Sequence, residues 1–297
     1  MTQRSTLCKL IPLVMVMGSF LYSCSKDNSS ASVTPKLNFV FKFDSTQARL
    51  DNIGMPASMP AGHAGQSPKF NTMSAHYVEL APNALTALGS GAVLYHVPEV
   101  TTGGSAAIDY NQSVRAKENE VWLSVPFSSI PAGTYQWLRV SLAYQNYNIT
   151  AYANGVPLTG TVASFIGFNT YIQNFKVKDS TVNVNANRKQ GFWAFEVQVP
   201  GFGAVVDSGQ APPGATTVPN PIAATSPIPA GSCVVTAAFP SSLVITGNET
   251  TSKTIVVSVS TNKSFEWIDG NGNGIYEPLL GEAVVDMGVR GMAPTIH

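Results

Sequence analysis

The chain has 297 residues, 17 basic and 17 acidic, and only 11% of them are charged, against roughly a quarter in an average protein. A neutral chain carries no electrostatic footprint for nucleic acid, which excludes that class of partner as an expectation. The length suits one large β domain or two small ones. At the N-terminus, Arg4 and Lys9 flank the start of an apolar run, Leu10 to Leu21, that ends at Ser23-Cys24. Basic residues, a short apolar stretch and a small residue before a cut point form the layout of a secretory signal. The run is shorter than the roughly 20 residues a membrane-spanning helix needs. Cleavage after residue 23 leaves 274 residues with 15 basic and 17 acidic side chains.

A cysteine at the cut point resembles the signal of bacterial lipoproteins. That resemblance implies acylation of Cys24 as the new N-terminus and membrane attachment through the lipid. Two or more acyl chains anchor a protein stably where one does not. Residues 24–36, opening Cys24-Ser-Lys-Asp-Asn-Ser-Ser30, read as a flexible tether. Lys26-Asp27 directly after the cysteine resembles the surface-export signal of some Gram-negative lipoproteins, which implies the outer membrane and its outer leaflet. No later segment is long and apolar enough to cross a bilayer.

Residues 37–297 read as one mainly β unit, an antiparallel β-sandwich with long polar loops. Leu37 to Phe43 alternates with period 2. Similar runs are Glu120 to Phe127, Tyr135 to Tyr144, Tyr147 to Tyr152, Phe192 to Val199, Cys233 to Phe239 and Thr254 to Ser260. Asn154-Gly155 between apolar runs predicts a hairpin, and Pro131-Ala-Gly-Thr134 predicts a turn. Asn83 to Leu88 is compatible with one helical turn. Many short strands separated by turn signals point to a sandwich. Residues 207–231 are rich in Pro, Ala, Thr and Gly and read as an interdomain linker or a long loop; we take the loop, with the strands after it joining the first sheet. Once Cys8 is removed and Cys24 acylated, Cys233 stands alone, so no internal disulfide forms. No His or Lys neighbours Cys233 in sequence, and it reads as a buried, inert thiol.

Two segments carry metal chemistry. Asp269-Gly-Asn-Gly-Asn-Gly-Ile-Tyr-Glu277 places oxygen side chains at alternate positions with glycine at the sixth, and so resembles an EF-hand-like calcium loop. In that register Asp269, Asn271 and Asn273 bind through side chains, Ile275 through its carbonyl, and Glu277 directly or through water. The twelfth position is Leu280, where the motif has Glu; Glu282 or Asp286 would have to substitute. The alternative is a metal-free Asn-Gly turn. The second segment contains Met55, Met59, His63, Met73 and His76. Thioether and imidazole together suit copper, above all Cu(I). His96, in Val93-Leu-Tyr-His-Val97, alternates with apolar residues and is placed across a sheet from His76. The alternative is a Pro-Gly loop with incidental methionines.

The order of Phe39-Val-Phe41, an extended segment before Leu80, and Ile130-Pro-Ala-Gly-Thr-Tyr135 leading into Trp137 to Ala143 is similar to the β-sandwich proteins that accompany methanobactin-type copper systems. The resemblance spans residues 37–200. It implies a sandwich fold and a role in copper handling, and it carries over no ligand.

The chain has no nucleophile-elbow, zincin, P-loop or dinucleotide motif, and it is read as a binding protein without enzymatic activity. Two other functions stay open. A surface adhesin or glycan-binding module would use Tyr135, Trp137, Tyr144, Tyr147, Tyr152 and Trp193. A hydrolase would need a carboxylate pair such as Glu118 and Glu120.

Overall fold

The computed structural model describes residues 34–215, 224–225 and 234–297. The signal segment, Cys24, most of the tether and Cys233 lie outside the described residues. Residues 34–297 form one compact unit. It is mainly β, and among the described residues the helical elements are short 3-10 turns.

The described residues form four sheets. The front sheet holds β1 (Lys36–Asp44), β8 (Val121–Pro126), β16 (Lys253–Ser260) and β19 (Met292–Ile296). The central sheet holds β3 (Lys69–Ala81), β4 (Ala92–His96), β7 (Arg115–Ala116), β9 (Gly133–Ala153), β10 (Val156–Phe165), β13 (Phe192–Val199), β14 (Gly203–Gln210) and β15 (Val234–Ile245). The back sheet holds β5 (Glu99–Val100), β6 (Ala107–Asp109), β11 (Asn169–Lys176) and β12 (Thr181–Lys189). A small sheet holds β2 (His63–Gln66), β17 (Phe265–Ile268) and β18 (Val284–Asp286). Pairing is antiparallel except for β1 with β16 and β6 with β11.

Apolar alternation decides how the sheets stack. Leu37, Phe39 and Phe41 of β1 and Ile255, Val257 and Val259 of β16 face Met73, Ala75, Val78 and Leu80 of β3 and Leu138, Val140 and Leu142 of β9. This is the sandwich core, and Trp122 stacks on Phe41 within it at 4.8 Å between ring centroids. Farther along the central sheet, Tyr144, Phe165 and Phe192 pack against Ile172 and Phe175 of the back sheet. Tyr147, Ile149 and Val162 pack against Phe265 and Trp267 of the small sheet. The central sheet is thus covered on both faces.

Several boundaries differ from those read in the sequence. Tyr135 to Tyr144 and Tyr147 to Tyr152 belong to one strand, β9, of 21 residues. Asp207 to Gln210 closes β14 and does not open the Pro-rich loop; β14 pairs only with β13, as an edge strand that tolerates Gly and Ser. Lys36, read as tether, opens β1. Asn83 to Leu88 forms turns and no helix. The Asn154-Gly155 hairpin joins β9 to β10, and both residues have positive φ, 51° and 77°, as a type I′ turn requires.

The turns after β3 are held by a fully buried ion pair. Arg139 Nη1 lies 3.3 Å from Glu79 Oε2, and both side chains have no exposed surface. Glu79 also accepts the backbone N–H groups of Gly89 and Gly91, at 3.1 and 2.6 Å. Arg139 Nη2 donates to the carbonyls of Thr86 and Ala84 at 2.5 and 3.3 Å. Removing one partner leaves the other charge buried and uncompensated. Glu79→Ala should therefore lower the unfolding free energy by about 3–5 kcal/mol, and adding Arg139→Ala should cost less than the sum of the two single changes. Equilibrium denaturant unfolding reads both; a Glu79→Ala loss under about 1 kcal/mol would contradict the buried-pair assignment.

Candidate metal centre

The site begins with an irregularity in β3. Ala75 pairs with Leu142 and Tyr77 with Ser141, so His76 is the extra residue of a β-bulge. Without it, strict alternation would keep every second residue on the core side. With it, Met73 and Ala75, then Val78 and Leu80, all point into the sandwich core. His76 and Tyr77 both fall on the opposite face. On the neighbouring strand, His96 is the Cα partner of Tyr77, and its ring centroid lies 4.9 Å from that of His76. Val97-Pro98 then turns the chain out of the central sheet. Val97 N–H donates to the His76 carbonyl at 2.9 Å, which anchors the corner. Glu99 opens β5 of the back sheet immediately afterwards. The three side chains therefore meet where two sheets meet.

Glu99 Oε1 lies 3.8 Å from His76 Nε2 and 3.9 Å from His96 Nε2. One ligand atom from each residue falls within 4.8 Å of the other two. The side chain of His76 is 8% exposed, those of His96 and Glu99 51% and 36%. The site is thus walled on the His76 side and open on the other. Phe168 stands at the wall, its ring 6.0 Å from that of His76.

His76 Nε2 is buried and has no hydrogen-bond partner. A metal-ligating imidazole presents one bare nitrogen to the ion while its other nitrogen donates to a carbonyl or carboxylate. Burial pushes the His76 pKa down to about 4, and the neighbouring His96 charge acts in the same direction. The ring also lies near the Val97 backbone, which opposes the fall of its pKa. His76 is therefore a neutral, ligand-competent imidazole at neutral pH.

Of the six residues read as copper candidates, the structure brings His76 and His96 together and disperses the others. Met73 is fully buried in the sandwich core. Met55 is exposed in the loop after β1, where its backbone N–H donates to Asp51 Oδ1 at 2.9 Å. Met59 lies half-buried in the same loop. His63, on β2, puts Nδ1 2.6 Å from Glu266 Oε1, while Arg49 takes Glu266 Oε2 at 2.6 Å. His63 is thus engaged by the carboxylate of the Arg49–Glu266 ion pair. Sequence reading missed Glu99; its available signal was a carboxylate three residues after His96, across a proline.

The Asp269 to Glu277 loop is closed by its own hydrogen bonds. Asp269 Oδ1 and Oδ2 accept the N–H groups of Gly272 and Gly274, both at 2.9 Å. Asn271 and Asn273 accept from the N–H groups of Asn273 and Ile275 and donate their amides to Glu277 Oε2. Glu282 accepts the Glu277 N–H at 2.6 Å. Gly272 and Gly274 supply the positive φ values that let the loop curl. The calcium expectation there rests on spacing. Of the possible glycosidase pair, Glu118 accepts the N–H of Phe43 in β1 and Glu120 accepts Lys117 N–H, so both brace backbone. Among the aromatics considered for sugar stacking, Tyr135, Tyr144 and Tyr147 are buried, and Trp137, Tyr152 and Trp193 are half-buried.

Compared with known proteins, the chain matches no protein-family model, no curated protein and no solved structure.

The depressed His76 pKa has a thermodynamic consequence in metal-free protein. Between its ordinary value of 6.5 and about 4, the unfolded chain takes up a proton that the folded chain refuses, so stability rises with pH across that window. The contribution amounts to at most about 3 kcal/mol, lost on acidification and constant below the window. Denaturant unfolding at pH 4 and pH 7 should show a smaller difference in His76→Gln than in the parent chain; equal differences would count against the assignment.

Proposed function

We propose that the chain is an exported, lipid-anchored envelope protein that binds a divalent transition metal through His76 Nε2, His96 Nε2 and Glu99. The observation that carries this reading is the buried, unpartnered His76 Nε2 aimed at a second imidazole and a carboxylate. Ligand atoms about 2.0–2.2 Å from a tetrahedral ion are roughly 3.4 Å apart. The separations of 3.8 and 3.9 Å exceed that by about half an ångström, within reach of rotation of the exposed His96 and Glu99 side chains. Two imidazoles and a carboxylate, with no thioether among them, suit Cu(II) or Zn(II) better than Cu(I). Three protein ligands leave a position open on the exposed side, where a metal can enter, leave or take a further ligand. That asymmetry favours handling of a metal over its permanent burial.

Titration of the purified chain with Zn(II) and Cu(II) should give one equivalent bound tightly. His76→Ala and His96→Ala should each weaken binding by at least about a hundredfold, while His63→Ala should leave it unchanged. Binding that survives both changes at the original stoichiometry would refute the site.

The envelope location rests on the Leu21 to Cys24 segment. Cys24→Ala should abolish labelling by radioactive palmitate and release the protein from the membrane fraction; continued labelling would show that Cys24 is not the acceptor.

A further inference from the structure

A second site lies on the opposite half of the molecule's central sheet, between that sheet and the small sheet. A cavity of about 380 Å³ opens there, walled by Trp193, Phe195, Phe265 and Tyr276. This falls within the usual range for small-molecule sites, about 300–1,000 Å³. Trp193 and Phe195 lie two residues apart on β13 and so share one face. Each ring occupies the space above a glycine of a neighbouring strand. A Cβ on Gly209 would come within 2.7 Å of the Trp193 ring, and one on Gly160 would overlap the Phe195 ring. The two glycines thus let the rings lie over the sheet. Trp193, Phe195 and Tyr276 are only partly buried although they pack against a core cluster. Phe265 and Tyr276, 5.1 Å apart and nearly perpendicular, close the opposite wall.

The polar groups around the cavity are few. Gln210 is committed, donating its amide to the Gln190 carbonyl at 2.7 Å. Asp207 is the one charged residue of the lining. It stands directly across from Phe195 in the β13–β14 pairing and therefore on the same face. An apolar aromatic slot with one carboxylate at its rim lacks the multiple hydrogen-bonding groups a sugar would need. It offers π faces and a single negative charge, the combination that attracts a cation bound to a flat apolar body.

We infer that this cavity binds a planar aromatic cation of small size, with the ring system between the Trp193–Phe195 and Phe265–Tyr276 walls and the positive charge at Asp207. The site is independent of the histidine cluster, and its test is run with EDTA present so that metal binding plays no part. The probe is 9-aminoacridine, a planar cation, titrated into the full chain with tryptophan and acridine fluorescence as readouts. One saturable equivalent is expected. The anionic probe 1-anilinonaphthalene-8-sulfonate should bind at least about tenfold more weakly.

Two variants discriminate. Ala283 lines the cavity with an exposed side chain, so Ala283→Trp fills the slot at the surface and should cut 9-aminoacridine affinity at least about tenfold at an unchanged melting temperature. Asp207 is also exposed, and Asp207→Asn should erase the preference for the cation over the anion. No saturable binding to the parent chain, unchanged binding in Ala283→Trp, or a cation preference that survives Asp207→Asn would each overturn the proposal.

Discussion

The architecture depends on one long strand that must have hydrogen-bonding partners along both edges. β9 runs for 21 residues, roughly 70 Å of extended chain, and an unpaired edge of that length would be a template for aggregation. On one side β3 pairs with it from Ala81 to Lys69. The other side is shared. β15 covers Gly133 to Ser141, and β10 covers Tyr144 to Ala153. At the handover, the Ala143 carbonyl accepts from the N–H groups of both Ile166 and Gly167, so the backbone acceptor at the change of partner is not left bare. Strands from both ends of the sequence are recruited by this requirement. The C-terminal strands therefore cannot form an independent unit: β15 completes the central sheet and β16 lies beside β1.

Change of partner also changes what covers the strand. The bulge opposite Ser74 and Ala75 shifts the alternation of β9 near Ala143. Before it, Leu138, Val140 and Leu142 face the front sheet; after it, Tyr144 faces the back sheet and Tyr147 the small sheet. Gln145 and Asn146 sit at the transition and are both buried. They satisfy carbonyls of the two covering layers: Gln145 donates to Met287, and Asn146 donates to Val177 at 2.8 Å. In the sequence, two adjacent polar amides between apolar runs look like a turn, which is why β9 reads as two strands. Their burial is a tertiary event that periodicity does not carry.

The same distinction separates what was legible in the site from what was not. Strands with several period-2 repeats, such as β1 and β13, announce themselves, and Asn154-Gly155 marks its hairpin because few other pairs tolerate positive φ twice in succession. β5, β6 and β7 have only two or three residues, too few for any period. The nearness of His96 to His76 agrees with the sequence expectation, which placed His96, in its alternating run, across the sheet, although its Cα partner is Tyr77. Glu99 was not legible, since its place depends on the corner at Pro98. The methionines misled for the converse reason. Met73 shares a short segment with His76, but the strand points them to opposite faces, so sequence proximity joined residues that the pleat separates.

The buried carboxylates Glu79, Glu196 and Glu266 are matched to charge or backbone, whereas His76 Nε2, like Ser74 Oγ, Ser164 Oγ and Gln145 Oε1, has no hydrogen-bond partner. Glu79 has Arg139 and two glycine amides; Glu266 has Arg49 and His63; Glu196 is held by the N–H groups of Lys178, Asp179 and Ser180. An unpartnered buried donor or acceptor costs about 1–3 kcal/mol, and His76 Nε2 bears such a cost. The Glu99 carboxylate is 3.8 Å away, too far for a direct hydrogen bond. A metal ion, bonding each atom at about 2.0–2.2 Å, fits that interval. The bulge at His76 and the proline before Glu99 both interrupt regular strand pairing at this corner. Under the proposed function, ligation of a metal would supply a compensating interaction for His76 Nε2.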